Sequence, residues 1–74
     1  MSSIERQIRG LQRIGKNLTG YCVVRIYDTV GKSREFLVSN VDYARSRVKH
    51  YQENWKFFQT ATISIHDGVC WLEI

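Results

Sequence analysis

The start of the chain repeats apolar residues at the three- and four-residue intervals that are typical of an amphipathic helix. The repeat consists of Ile4, Ile8, Leu11, Ile14 and Leu18. Ser2 stands three residues before Glu5, which is the spacing of a capping box at a helix N-terminus. We therefore predict a first helix over residues 3–17, with Gly20 as its stop.

The next segment alternates between two faces, as a strand does. Residues 21–28 are rich in β-branched and aromatic side chains, and the alternation places Cys22, Val24 and Ile26 on one face. Residues 34–38 form a second predicted strand, which a short loop joins to the first as a hairpin. We expect the apolar face of this hairpin to be buried in the core.

The clearest helical repeat follows the hairpin. It consists of Val41, Ala44, Val48, Tyr51 and Trp55. Ser39 or Asn40 can cap the N-terminus of this helix, and Asp42 lies in its first turn, where the helix dipole favours a negative charge. We predict that the apolar stripe of this second helix packs on the sheet.

The last segment predicts a second hairpin. A strand over residues 57–66 is followed by Asp67 and Gly68, a strong signal for a two-residue turn, and by a strand over residues 69–74. The register set by such a turn pairs His66 with Val69, Ile65 with Cys70, Ser64 with Trp71 and Ile63 with Leu72. In this register the pairs of Ile65 with Cys70 and of Ile63 with Leu72 share one face and Trp71 lies on the polar face, as a sheet with one buried face requires.

The element order is therefore α-β-β-α-β-β in a chain of 74 residues. We predict a single α+β domain over residues 1–74, with a four-stranded, mainly antiparallel sheet and helices packed on one face. The local pattern leaves the order of the strands in the sheet open.

Composition limits the class of protein. Apolar residues make up 43% of the chain, which is ordinary for a globular domain and too high for a disordered tail. No run approaches the roughly 20 apolar residues of a membrane span, and the N-terminus lacks the apolar core of a signal peptide. We expect a cytoplasmic protein that does not bind a membrane. We expect Cys22 and Cys70 to be reduced and buried, the alternative being a disulfide between neighbouring strands.

The net charge of +4 is unevenly distributed. Four cations recur opposite the apolar stripe of the first helix, namely Arg6, Arg9, Arg13 and Lys16. Residues 1–18 contain these four and a single Glu, a balance of +3. The stripe can dock on an acidic protein surface or neutralise phosphates. The alternative is an ordinary solvated helix face.

Trp71 is a candidate partner contact because the predicted register gives it no place in the core. Tryptophan is enriched among interface hot spots, and an exposed apolar patch commonly marks a contact surface. The neighbours expected on its face are Tyr21, Val23, Tyr27 and Val69. The alternative is that this face is covered, either by the first helix or by a second copy of the chain. Coverage by a second copy would make the protein a homodimer.

The second helix mixes cations with aromatic rings. The residues that suggest nucleic-acid binding are Tyr43, Arg45, Arg47 and Lys49. Such interleaving suits a single strand, whose bases stack on rings while cations meet its phosphates. The alternative is that Asp42 and Glu53 pair with the cations, as is common on exposed helix faces.

The residues do not form a recognisable catalytic or metal site. His50 and His66 could act as acid or base, and Asp67 could orient His66, but no activated nucleophile accompanies them. Two separate histidines and two cysteines do not make a tetrahedral ligand set. We therefore expect no enzyme activity, no metal and no cofactor, with a small metal-free nuclease as the remaining enzymatic alternative.

The segment REFLVSNVDYARSRVKHYQENWKFFQTATISIHDGVCWLEI, residues 34–74, combines a strand, a capped helix, a strand and a hairpin. This layout resembles that of small phage-encoded inhibitors, the anti-CRISPR proteins. The resemblance implies a protein that blocks an RNA-guided nuclease complex by occupying its nucleic-acid path or an effector subunit. Inhibitors that imitate DNA are acidic, whereas this chain is basic, so imitation of DNA charge does not apply.

We therefore expect a small non-enzymatic binding protein, and the resemblance implies that it is of this inhibitor type. Its partner would be a larger protein or nucleoprotein complex, contacted through the first helix, Tyr27 and Trp71. The alternative is a basic domain that contacts DNA or RNA directly through cations of both helices.

Overall fold

The computed structural model describes residues 3–74, so the capping-box residue Ser2 lies outside the described part of the chain. Two helices and four strands follow one another in the predicted order. They are α1 (Ser3–Arg13), β1 (Cys22–Asp28), β2 (Ser33–Val38), α2 (Val41–Asn54), β3 (Phe58–His66) and β4 (Trp71–Glu73). The predicted fold class is confirmed.

The strands form one sheet in the order β2-β1-β3-β4, and every neighbouring pair is antiparallel. β1 lies in the interior, so that Cys22 has Val38 of β2 on one side and Ile65 of β3 on the other. The hairpin predicted between β1 and β2 is confirmed. The pairing of β1 with β3 joins segments that are far apart in the chain, and local periodicity carries no information about it.

The core lies between one face of this sheet and α2. Its fully buried members are Cys22, Val24 and Ile26 of β1 and Ala44 of α2. The remaining residues of the predicted α2 stripe, Val41, Val48, Tyr51 and Trp55, pack against this cluster. Helical and strand periodicity therefore predicted both sides of the core correctly.

The N-terminus of α2 is capped by Asn40. Its Oδ1 accepts a hydrogen bond of 2.7 Å from the backbone N–H of Tyr43, which would otherwise have no partner inside the helix. Of the two predicted caps, Asn40 is the one used, and Ser39 precedes it. At the other end the N–H of Trp55 donates to the carbonyl of Tyr51 and closes the last turn.

α1 ends four residues earlier than predicted, and Gly15 rather than Gly20 stops it. Gly15 has φ +77°, the left-handed conformation that favours glycine. The N–H of Gly15 donates to the carbonyl of Gln12 at 3.0 Å, and the N–H of Lys16 donates to that of Leu11 at 2.9 Å. This pair of bonds is the Schellman motif, which satisfies the last carbonyls of a helix.

The two helices lie over opposite faces of the sheet, although the sequence prediction placed them on one face. α2 covers the face of Cys22, whereas Ile4 and Ile8 of α1 approach the face that carries Val23 and Trp71. The physical reason is that the second face also has apolar area to bury. Val23 is only 6% exposed there.

The last hairpin has a four-residue turn instead of the predicted two-residue turn. Ile65 pairs with Leu72 rather than Cys70, a slip of two positions. Because strand side chains alternate with a period of two, this slip leaves every residue of β4 on its predicted face. Cys70, which we expected to be buried, instead lies exposed in the turn.

α2 leaves the β4 side of the core face uncovered. Leu72 and Ile74, the latter held by a hydrogen bond from its N–H to the carbonyl of Ile63, are 47% and 56% exposed. A helix is about 10–12 Å wide, whereas four strands spaced at about 4.8 Å span roughly 14 Å between their axes. One helix therefore cannot cover all four strands.

Candidate functional site

The outward side of α1 is basic. Arg6, Arg9 and Arg13 recur at intervals of three and four residues and are exposed, opposite the side that carries Ile4 and Ile8. We call these three arginines the α1 stripe. Its predicted fourth member, Lys16, lies beyond the end of the helix and after the left-handed Gly15, so it does not continue the stripe.

A groove of about 430 Å³, lined by both apolar and charged side chains, lies between α1 and the outer face of the sheet, which is the face that carries Val23 and Trp71. Its lining includes Ile4, Ile8, Val23 and Trp71. We call it the Trp71 groove. On its sheet side, Arg25 Nε and Glu35 Oε2 form an ion pair at 3.6 Å across the β1–β2 hairpin.

Trp71 forms one wall of this groove rather than projecting freely. Its ring meets the ring of His66 edge to face, with centroids 4.9 Å apart, and the side chain is partly buried. The alternative that the first helix covers the Trp71 face is therefore correct in part. The groove keeps one side of the tryptophan accessible.

The other neighbours predicted for Trp71 are not all brought to it. Tyr27 shares the face of Trp71 but pairs with Thr60. It lies six positions along the strand direction from Tyr21, which is level with His66 and its partner Trp71, and six positions correspond to about 20 Å. Val69 is 89% exposed in the last turn. Of the predicted set, the groove itself brings Val23 to Trp71, whereas Tyr27 occupies a separate position.

The four α2 residues predicted to bind nucleic acid divide between two sides of the helix. Tyr43 and Arg47 lie one turn apart on the side facing β2, where the Arg47 guanidinium lies 5.4 Å from the ring of Phe36. Arg45 and Lys49 lie on the other side. Lys49 Nζ is 4.0 Å from Glu53 Oε1, so the ordinary surface pairing that we considered applies to this lysine.

The side of α2 facing β2 also contacts Arg34, which the sequence pattern did not mark as a candidate site residue. The Arg34 guanidinium lies 4.9 Å from the ring of Trp55. Together they border a cavity of about 210 Å³ whose other lining residues are His50, Tyr51 and Asn54. The hairpin register could have revealed Arg34, because Arg34 pairs with Ile26 and therefore points to the face that α2 covers.

The two histidines do not converge on one site. His66 belongs to the outer face of β3, and its Nδ1 accepts a hydrogen bond of 3.1 Å from the N–H of Gly68. His50 lies on α2, over the opposite face. Within residues 3–74, no group of three or more His, Cys, Asp or Glu side chains is placed to hold a metal ion.

The two cysteines are free thiols in different environments. Cys22 is fully buried, and its Sγ donates to the carbonyl of Gly20 at 3.6 Å. Burial raises the pKa of the Cys22 thiol, while the positive charge of Arg45 acts in the opposite direction. Cys70 lies exposed in the last turn, so the two thiols have no shared site.

Comparisons with protein-family models, with curated proteins and with solved structures find no match to this chain. Among the described residues, no helix is long and apolar enough to cross a membrane. The side chains that suggest a function are those of α1, the Trp71 groove and the side of α2 that faces β2.

Proposed function

We propose that the protein is a non-enzymatic binding protein that docks on an acidic surface of a larger protein or nucleoprotein complex. The observation that carries this proposal is the segregation of charge on α1, where the α1 stripe lies opposite Ile4 and Ile8. Because the apolar side is packed toward the sheet, the arginines are presented from a helix that is already formed. Little ordering is then needed on binding, which favours affinity.

Arginine suits this role better than lysine. Its planar guanidinium can donate two parallel hydrogen bonds to one carboxylate or phosphate, and it is less strongly hydrated than an ammonium group. All three members of the α1 stripe are arginines. The expected partner surface therefore carries carboxylates or phosphates at intervals that match turns of a helix.

The Trp71 groove would supply the apolar part of the interface. It lies against the opposite side of α1 from the stripe, and its walls are Ile4, Ile8 and the accessible side of Trp71. Interfaces commonly combine an aromatic anchor with arginines. In this arrangement an apolar side chain of the partner enters the groove while acidic groups meet the arginines. A second copy of the chain is an alternative occupant of the groove.

We further propose that the docking is inhibitory, in the way that the resemblance to anti-CRISPR proteins implies. A bound domain of 74 residues can exclude a nucleic acid or a subunit from an effector surface without any chemistry of its own. The positive net charge favours an acidic or mixed target surface over imitation of DNA.

The test is affinity purification of the tagged protein from its native host, with and without nuclease treatment, followed by mass spectrometry. The informative variant is Arg6→Glu/Arg13→Glu, and the matched control is Lys32→Glu/Lys56→Glu. Both change the net charge from +4 to zero, and all four side chains are exposed. We expect the α1 variant to lose a nuclease-resistant partner that the control retains. Retention by both folded variants would refute docking through α1.

Two further measurements define the mode of action. Light scattering of the wild type beside Trp71→Ala reports whether a second copy occupies the groove, because a dimer through this face would become a monomer. Adding the purified protein to the captured complex should reduce binding of the target nucleic acid by that complex. Undiminished binding at saturating protein would contradict the inhibitory role.

A further inference from the structure

The side of α2 that faces β2 carries a group of cations and rings that docking through α1 does not use. We call it the α2–β2 cluster, and its members are Arg34, Phe36, Arg47, His50, Tyr51 and Trp55. The Tyr51 ring contacts the rings of Phe36, His50 and Trp55. The centroid of the Tyr51 ring lies 6.1 Å from that of the Phe36 ring and 6.0 Å from that of the Trp55 ring.

Both arginines of the cluster are held by aromatic rings. The Arg34 guanidinium lies 4.9 Å from the Trp55 ring, and that of Arg47 lies 5.3 Å from the Tyr51 ring. Arg47 also donates to the hydroxyl of Tyr51 at 3.3 Å. A guanidinium has five N–H donors directed along its plane, so contact with a ring leaves donors at its edge for an anion.

The positive charge of the cluster is not neutralised within the described residues. Over residues 3–74, neither Arg34 nor Arg47 forms an ion pair with a carboxylate, in contrast to Arg25 and Lys49, which pair with glutamates. The cavity of about 210 Å³ next to Arg34 is also bordered by the exposed ring of His50. A small anionic group entering this cavity meets a cation and finds no acidic side chain on its lining.

Tyr43 extends the cluster toward the N-terminus of α2. It lies one helical turn before Arg47 and is 51% exposed. From Tyr43 to Trp55 the helix rises by about 18 Å. An exposed ring, a ring-held arginine and a cation-lined cavity therefore follow one another along one side of α2.

We propose that this side of α2 binds single-stranded nucleic acid, with phosphates at Arg47 and Arg34 and a base stacked on Tyr43. Exposed rings next to backbone-neutralising cations are the features by which proteins hold single strands, because only unpaired bases offer their faces for stacking. A purely acidic peptide would use the arginines but not the exposed ring. This site is separate from the α1 stripe, and the inference does not depend on docking through α1.

The binding test uses the purified full-length chain and fluorescence anisotropy. The probes are labelled oligothymidylate and oligouridylate of about 15 nucleotides, near the upper site size of a single-strand-binding fold. A duplex of the same length and a poly-glutamate peptide serve as competitors. We expect both single strands to bind more tightly than the duplex, with an affinity that falls as salt rises. The relative affinity for the two strands shows whether RNA or DNA is preferred.

The site is tested with a matched pair of double variants on the two sides of α2. Arg34→Gln/Arg47→Gln should weaken single-strand binding by about tenfold or more, because two phosphate contacts are lost. Arg45→Gln/Lys49→Gln removes the same charge from the other side and should weaken it by less than about threefold. Tyr43→Ala should cost between about fivefold and 150-fold, the range for one stacked base, whereas Tyr43→Phe should bind like the wild type.

Several outcomes would overturn the inference. These are equal losses in the two double variants, tighter binding of the duplex, displacement of the strand by poly-glutamate at equal charge, or loss only in Arg6→Glu/Arg13→Glu. The last result would move nucleic-acid contact to α1 and leave the proposed docking role intact. Circular dichroism of each variant shows whether a loss of binding reflects misfolding. Arg34→Lys/Arg47→Lys keeps the charge and shows whether a loss in the glutamine variant reflects the removed charge.

Discussion

At the scale of single residues, Asp67 decides the shape of the last turn. Its Oδ1 accepts hydrogen bonds from the N–H groups of Val69 and Cys70, at 2.8 and 2.9 Å, and its own N–H donates to the carbonyl of Cys70. An aspartate that bonds to the backbone two and three residues later favours a wider turn than Asp-Gly alone predicts. This side chain therefore explains why the register slips by two positions.

The same bonds make the turn sensitive to acid. Hydrogen bonds from the N–H groups of Cys70 and Val69 lower the pKa of the Asp67 carboxyl below its ordinary value. A carboxyl with a lowered pKa stabilises the fold fully above its unfolded pKa, about 3.9, and this contribution disappears as the pH falls through the folded pKa. The difference in free energy of unfolding between the wild type and Asp67→Ala should therefore stay constant near neutrality and shrink only as the pH falls below about 3.9 and through the folded pKa.

The measurement is urea unfolding of both proteins at a series of pH values between neutral and strongly acidic. Asp67→Asn is the control, because its side-chain oxygen can accept the same bonds but does not titrate. Its difference from Asp67→Ala should stay nearly constant over this series. A difference between wild type and Asp67→Ala that grows toward acid would show that Asp67 does not hold the turn as a carboxylate.

Residue identity predicted only part of the candidate sites. The arginines of the α1 stripe follow from helical spacing alone, since Ile4 and Ile8 fix which side is buried. The hairpin register gives the face of Arg34, but its contact with Trp55 depends on a helix that packs across that face, which local spacing does not reveal. Contacts of this kind arise only between elements.

At the scale of elements, the length of α1 depends on a glycine. Apolar spacing continues through Ile14 to Leu18, but the helix ends at Arg13 because Gly15 adopts a left-handed conformation. Ile14 is left 77% exposed, whereas Leu18 is buried. The periodic pattern thus extends past the helix that it predicts, and the capping bonds set the boundary.

Two glycines of this segment should respond in opposite ways to alanine. Gly10 lies inside α1, where an added Cβ meets nothing within 4 Å, so Gly10→Ala should raise the free energy of unfolding by up to about 1 kcal/mol. Gly15→Ala must adopt a positive φ and should lower it by about 1–2 kcal/mol. Chemical denaturation of both variants measures these changes. A stabilising Gly15→Ala would mean that α1 continues beyond Arg13.

At the scale of the whole molecule, the two helical layers are unequal. The fully buried cluster of Cys22, Val24, Ile26 and Ala44 lies between the sheet and α2. On the other face, α1 contributes one buried side chain, Ile4, while Ile8 and Leu11 are only partly buried and a cavity of about 430 Å³ lies beside them. Unfilled volume forgoes packing contacts, so α1 is the less firmly held layer.

We expect α1 to open locally before the rest of the fold. Backbone amides in the middle of α1 should exchange with deuterium faster than those of α2 and β1, because regions with few buried contacts open at a lower free energy. Native-state hydrogen exchange followed by NMR checks this order. Ile8→Ala should widen the difference in protection between α1 and α2. Ile26→Ala is the control, because it should lower the free energy of opening throughout the fold by about 2–5 kcal/mol. Equal protection in α1 and α2 would contradict the layered description.

The sequence by itself determined the elements, the faces of their residues and the basic side of α1. Periods of two and of about 3.6 residues are local properties, and the register of the last hairpin could slip by two without changing any face. Only the tertiary structure decided the strand order, the placement of α1 over Val23 and Trp71, and the assembly of Arg34 with α2. These depend on which apolar surfaces bury one another, a competition between segments distant in the chain that no local pattern records.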